Sequence, residues 1–292
     1  MIQGFHSNWT KPFFTLNQNK EYFIEDFEIL TTILSALKWR EFNGSIKMIT
    51  DINGAEYYKK LGIEKLWDGG IFTYLEDIPK SINPNIFWAA GKIYAMKKER
   101  IPFAMIDTDF IVWSNIEPLL KDKELCTIHK EDLSFVYPGK ESFIMKENYN
   151  FDKEWDWKER PCNTAFTYIA NEKFKNYYTK SSIEFMENLK FGNDRIINMV
   201  FAEQRLISMC SKKMNIKSEE LISLNDLFKN KQKLFTHIWG YKDIMKKDSE
   251  KRKEFCIRCI NRIIKDYPDF KDTLINIKEL EKYFSLKLHQ TQ

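Results

Sequence analysis

Pro102-Phe103-Ala104-Met105-Ile106-Asp107-Thr108-Asp109 reads as a buried strand that runs into two acids. An unbroken apolar run bounded by polar residues marks a strand covered on both faces, as in a parallel sheet sandwiched between helices. Upstream of it, extended and helical patterns alternate. Ile2 to Phe5 is expected to be a first strand, and from Phe23 the residues Phe27, Leu30, Ile33, Leu34 and Leu37 recur at helical steps. Ser45 to Thr50 predicts a strand that stops at Asp51 and a turn at Asn53-Gly54, followed by a helix over Ala55 to Leu61 closed by Gly62. Ile71 to Leu75 predicts another strand, and Asn85 to Lys98 a helix with Phe87, Ala90, Gly91 and Tyr94 on one face. Such an order predicts an α/β fold with right-handed crossovers.

Downstream, Lys146 to Arg160 is rich in charge and Trp and is expected to be a loop excursion. Thr164 to Ile169 follows as a strand, then a helix with Phe174, Tyr177, Tyr178, Ser181 and Phe185 on one face, and a second helix from about Ala202 to Lys212. The tail from Ser249 is helical by pattern and basic. The expected organisation is one domain over residues 1–245 with a helical extension over 246–292 packed on it.

Composition narrows the function. The chain has 292 residues, 46 Lys+Arg against 42 Asp+Glu, and 23 Phe, 13 Tyr and 8 Trp. The aromatic content excludes disorder, and a net charge of +4 gives no reason to expect nucleic acid as a partner. No uncharged stretch approaches the roughly 20 residues of a spanning helix. The start, Met-Ile-Gln-Gly-Phe-His, lacks a basic segment followed by an apolar one, and five Cys read as reduced thiols, so a cytoplasmic protein is expected. Cys256 and Cys259 fall on the face of Ile260 and Ile263 and are expected to pack in a core. The basic helix Lys246 to Lys265 is either an ordinary solvated face or a peripheral contact with the inner face of a membrane. Glycine-rich dinucleotide and P-loop motifs, His-Glu-x-x-His and Gly-x-Ser-x-Gly do not occur in the sequence.

Asp107 and Asp109 end a core strand. Residues two apart in an extended segment project to the same side, toward the crevice beyond the strand ends where open α/β sheets bind ligands. Two hard oxygen donors there suit Mg²⁺ or Mn²⁺ shared with a diphosphate. The second candidate is His237-Ile238-Trp239-Gly240-Tyr241-Lys242. A neutral imidazole is a competent ligand for Mn²⁺, glycine allows close backbone approach, and a lysine ammonium neutralises phosphate oxygens.

A strand-terminal Asp-x-Asp with a later His-x-x-Gly-x-Lys resembles the metal and diphosphate site of GT-A fold glycosyltransferases, in particular the retaining family-eight type. The lead-in Phe87-Trp88-Ala89-Ala90-Gly91-Lys92-Ile93-Tyr94 is similar to that of bacterial relatives of the same fold. The resemblance implies a Rossmann-like, mixed and mainly parallel sheet flanked by helices. It implies transfer of a sugar from a nucleoside-diphosphate donor, by resemblance a UDP-sugar, to a hydroxyl of a glycan acceptor, either free or lipid-linked, in bacterial surface polysaccharide synthesis. Asp107, Asp109 and His237 would be metal ligands, with Asp107 also touching the donor ribose. Gly240, Lys242 and Lys92 would hold the diphosphate or sugar, Phe5, His6 and Ser7 would lie beside the base, and Asp51 would touch base or ribose. Asn163, in Pro161-Cys162-Asn163-Thr164-Ala165, would face the sugar or acceptor, with Ala165 where relatives carry glycine. Glu203 or Gln204, resembling an acidic pair at a helix start, would act on the acceptor hydroxyl or steady the anomeric centre. Two alternatives stay open: a non-catalytic glycan- or partner-binding protein on this fold, and a metal-dependent phosphoanhydride hydrolase or nucleotidyltransferase.

Overall fold

The computed structural model describes residues 1–191, 194–229 and 232–288. In chain order, the elements that build the site are β1 (Gln3–Asn8), α1 (Asp26–Phe42), β2 (Ile46–Thr50), α2 (Ile52–Lys60), β3 (Ile71–Phe72), α3 (Ala90–Lys98), β4 (Phe103–Ile106), β5 (Phe110–Val112) and β6 (Leu125–Thr127). They continue with β7 (Phe166–Ile169), α4 (Glu172–Asn188), α5 (Arg195–Val200), α6 (Leu206–Lys213), β8 (Ser218–Glu220), β9 (Phe235–His237), α7 (Tyr241–Lys247) and α8 (Ser249–Asp266).

Seven strands form one sheet in the order β8-β6-β7-β4-β1-β2-β3. β1 pairs in parallel with both β2 and β4, and β7 runs antiparallel to β4 and β6. The expected α/β architecture, a mixed and mainly parallel sheet between helices with helical segments at the C-terminus, is the one observed. β4 shows why its sequence is continuously apolar. Ala104 and Ile106 belong to the core layer under α1, whereas Phe103 and Met105 belong to the layer under α3 and α4, and all four are fully buried. Each large side chain buried in this way contributes about 1.5–3 kcal/mol. Gly4 on β1 is needed for close packing, because a Cβ there would sit 2.5 Å from Trp39 Nε1 on α1.

Several boundaries differ from the sequence expectation. β1 extends to Asn8 instead of ending at Phe5. Asn53-Gly54 lies within the first turn of α2 and not in a separate turn, since Asp51 caps that helix by accepting from Gly54 N. The strand after Gly70 is only Ile71–Phe72, and Tyr74–Asp77 turns into a 3₁₀ helix. The segment expected to be helical from Ala202 starts earlier: α5 and α6 flank a π-helical turn over Phe201–Arg205.

The expected domain boundary at 245 falls inside α7. Beyond it, Cys256, Cys259, Ile260 and Ile263 of α8 pack in the same cluster as Leu30, Ile33 and Ile106. Arg252 of α8 is tied to Asp26 at 2.8 Å and to Glu25 at 2.6 Å, and Arg262 to Asp266 at 2.5 Å. These charges of the basic helix serve internal contacts. Among the described residues no helix is long and apolar enough to cross a membrane.

Candidate functional site

The carboxyl ends of β1 and β4 open onto a cleft of about 230 Å³ whose wall includes Ser7, Trp9, Trp88, Lys92, Asp107 and Asp109, with Lys242 at its margin. A larger cavity, about 730 Å³, lies elsewhere between α1 and Tyr267. Size does not choose between them, but the chemistry of the walls does.

Two ladders bring the site together. After β4 the chain turns, with Phe110 N donating to Asp107 O at 2.9 Å, and continues as β5. β5 pairs antiparallel with β9 in the register Phe235↔Val112, Thr236↔Ile111, His237↔Phe110. That register sets the His237 ring beside Asp109, with Nε2 3.8 Å from Asp109 Oδ2. One ligand atom from each of Asp107, Asp109 and His237 lies within 4.8 Å of the others. Opposed ligands of a small octahedral cation are about 4.2 Å apart, so slight side-chain adjustment closes the set.

The ionic surroundings are dense. Lys92, in the first turn of α3, reaches both oxygens of Asp107, at 2.8 and 2.9 Å, and Glu203 Oε1 at 2.8 Å. Glu203 Oε1 also accepts from Thr164 Oγ1 at 2.8 Å. On the other side, Lys242 Nζ lies 2.9 Å from Asp109 Oδ2 and 3.8 Å from Glu28 Oε1. The carboxylates of Glu28, Asp107, Asp109 and Glu203 thus outnumber the ammonium groups of Lys92 and Lys242 by the charge of one divalent cation.

Protonation follows this layout. Burial, opposed by Lys92 and reinforced by Asp109 and Glu203, pushes the Asp107 carboxyl up to about 6. Burial also raises Asp109, but Lys242, His237 and Lys92 outweigh it and hold the carboxyl below its usual range. Burial pulls His237 down to about 4 despite Asp109, so at neutral pH its imidazole keeps a free lone pair. Hard carboxylates, a neutral imidazole and an uncompensated charge of two fit Mg²⁺ or Mn²⁺.

Two residues of this wall also carry buried donors with no partner among the described residues, Ser7 Oγ and Trp9 Nε1. Unpaired buried donors of this kind are costly. Gly91 lets α3 close over this wall, since a Cβ there would come within 2.8 Å of Trp9 Cβ.

The sequence candidates divide accordingly. Asp107, Asp109, His237, Lys92, Lys242, Glu203 and Ser7 come together at the cleft or its margin. Phe5 and His6 do not, because the longer β1 places both in the fully buried interior. His6 Nδ1 accepts from Trp67 Nε1 at 3.2 Å, which assigns the proton to Nε2. Nε2 then donates to Ser35 Oγ at 3.0 Å, and Ser35 donates to Phe110 O at 2.6 Å. His6 therefore fixes the start of β5 from behind. Asp51 is likewise fully buried, binding Thr10 N at 2.8 Å, Thr10 Oγ1 at 2.9 Å and Gly54 N at 3.0 Å. It caps α2 and has no oxygen free for a base or ribose. Asp51→Ala is expected to cost about 1–3 kcal/mol in denaturant unfolding while nucleotide affinity stays unchanged.

Gly240 is exposed, precedes α7 and has open space around it, so no close backbone approach requires a glycine there. Asn163 donates to Glu131 Oε1 at 3.1 Å and lies outside the cleft lining. Gln204 Oε1 accepts from Tyr137 Oη at 2.6 Å. Glu203 and Gln204 sit within the π-helical turn, not at a helix start. Tyr178 Oη donates to the Glu203 carbonyl and Ser182 Oγ to that of Ala202, both at 2.8 Å, so α4 satisfies two backbone oxygens of this turn. Sequence reading missed Trp9, Trp88, Thr164 and Glu28. Trp88 and Thr164 adjoin residues already singled out, whereas Glu28 shows only a capping-box pattern with Glu25.

A family model described as a family of unknown function, DUF6734, matches residues 1–277. No functionally curated protein matches the sequence. Among solved structures, the chain is similar to an active-site mutant of LgtC, at 11% identity and a TM-score of 0.35, over 68% of this chain and 70% of that one. It is similar to the glycosyltransferase GlyE of Streptococcus pneumoniae TIGR4 at 13% identity and a TM-score of 0.34, over 70% of this chain and 44% of that one. Similarity to mouse xyloside xylosyltransferase 1 is 9% in identity with a TM-score of 0.39, over 74% of this chain and 84% of that one.

Proposed function

Starting from a chain that belongs to DUF6734, a family of unknown function, we propose that it is a metal-dependent glycosyltransferase of GT-A type. Its donor is a nucleoside-diphosphate sugar, UDP by preference, its acceptor a glycan hydroxyl, and its setting bacterial surface polysaccharide synthesis. One observation carries the reading: Asp107, Asp109 and His237 converge within 4.8 Å beside a cleft walled by Ser7, Trp9, Trp88 and Lys92.

Asp109 and His237, with Asp107 behind them, would hold a divalent cation, which when bound neutralises a diphosphate and makes the nucleoside diphosphate a better leaving group. The chain's own groups do the rest. Lys242 stands where its ammonium can take diphosphate oxygens, and Ser7, Trp9 and Trp88 form the wall against which the nucleoside part would lie. Lys92 holds the Asp107 and Glu203 carboxyl groups in place through ion pairs at 2.8 Å. Among the described residues both side-chain hydrogen bonds to Glu203 fall on Oε1. Oε2 is left for a substrate hydroxyl or for positive charge building at the anomeric carbon, which a fixed carboxylate stabilises.

A thermal-shift panel with UDP, GDP and CMP sugars, each with and without Mn²⁺, tests the reading. A ligand at 100 times its Kd adds about 2.7 kcal/mol to native stability, so a UDP-sugar with Mn²⁺ should raise Tm by several degrees. The absence of a nucleotide response favours the non-catalytic alternative. A response accompanied by donor consumption at equal rates with and without any acceptor favours the phosphoanhydride hydrolase.

A further inference from the structure

Lys242 and a divalent cation compete for one oxygen. The Lys242 ammonium lies 2.9 Å from Asp109 Oδ2, and that same oxygen is the one nearest His237 Nε2, at 3.8 Å. Asp109 is only 5% exposed, so its carboxylate has little room to turn away and serve both at full strength. Glu28 Oε1, 3.8 Å from Lys242 Nζ, offers the ammonium a second resting place on the α1 side.

From this geometry we infer that Lys242 is an exchange latch: a divalent cation arriving at Asp109 displaces the ammonium, which then becomes available to the diphosphate of the incoming nucleotide. The inference rests on the proposed function and goes beyond it by assigning a coupling between cation and nucleotide to one side chain. Two effects of opposite sign follow. Lys242 weakens cation binding to the protein alone, because Asp109 must first give up an ion pair. It strengthens nucleotide binding once the cation is present, because the freed ammonium gains phosphate oxygens. Charge balance is compatible with the same order, since a dication neutralises the excess of carboxylates while the displaced ammonium stays beside Glu28. Linkage requires that the factor by which the cation tightens nucleotide binding equal the factor by which the nucleotide tightens cation binding.

Titration calorimetry on the full chain, with Mn²⁺ alone and with UDP in saturating Mn²⁺, reads both signs. Lys242→Met should bind Mn²⁺ alone about tenfold more tightly than the parent and bind UDP in the presence of Mn²⁺ about tenfold more weakly. Lys242→Arg, which keeps a cation, should behave like the parent in the first measurement. Lys242→Gln repeats the test where Met packs poorly, with circular dichroism confirming the fold. If the parent shows coupled Mn²⁺ and UDP binding but Lys242→Met binds Mn²⁺ with unchanged or lower affinity, the latch is wrong while the functional reading stands. If neither protein binds Mn²⁺, both are wrong.

Discussion

Asp109→Asn is expected to lower metal-dependent turnover of the nucleotide sugar by about a thousandfold, equivalent to about 4 kcal/mol of transition-state stabilisation. The melting temperature should fall by only a few degrees. Asparagine is nearly isosteric and can still accept from Lys242 through its carbonyl, but it gives up the charge that Lys242 favours in the folded state. Asp109 is also the member of the triad whose carboxyl lies below its usual range, held down by Lys242 and Lys92 against its burial. Its loss removes the strongest anionic ligand while leaving β4, β5 and their ladders intact. Loss of activity accounted for by unfolding at the assay temperature would indicate a structural role instead.

The second large effect is on stability. Lys92 is the counter-ion shared by Asp107 and Glu203, with its side chain 18% exposed. Lys92→Met leaves two carboxylates facing each other without their cation. Breaking buried pairs in this way costs about 3–5 kcal/mol, and the cost should depend on pH. The Asp107 carboxyl already titrates near 6, above its ordinary 3.8, because burial and neighbouring acids disfavour its charge. An acid whose folded pKa exceeds its unfolded pKa binds the extra proton in the folded state. Stability therefore falls as pH rises through that interval and is lowest above the folded pKa. Without Lys92 the folded pKa moves further up. Urea unfolding of Lys92→Met should show the full deficit at pH 8 and a smaller one at pH 5. A deficit independent of pH would assign Lys92 a packing role only.

Much of this arrangement is legible in the sequence, for identifiable reasons. The run Phe103 to Ile106 is apolar because both faces of β4 are covered, and an acid pair at its end must face the crevice. The pairing of His237 with Phe110 is not legible, because three-residue strands far apart in the chain carry no register signal. Asp51 misleads for a physical reason: an acid at a strand end that also starts a helix can serve as an N-cap, and Gly54 N together with Thr10 claims its oxygens. His6 misleads because β1 runs to Asn8, so the residues at its mouth are Ser7 and Trp9 in place of Phe5 and His6. The π-helical turn around Glu203 escapes pattern reading because one inserted residue shifts the apolar period without breaking it.

The central claim is that Asp107, Asp109 and His237 enclose one cation. Anomalous diffraction from crystals grown with Mn²⁺ tests it most directly. The account predicts a single strong peak within about 2.3 Å of both His237 Nε2 and an Asp109 oxygen. A peak bound elsewhere, or none at this triad at saturating Mn²⁺, would contradict it.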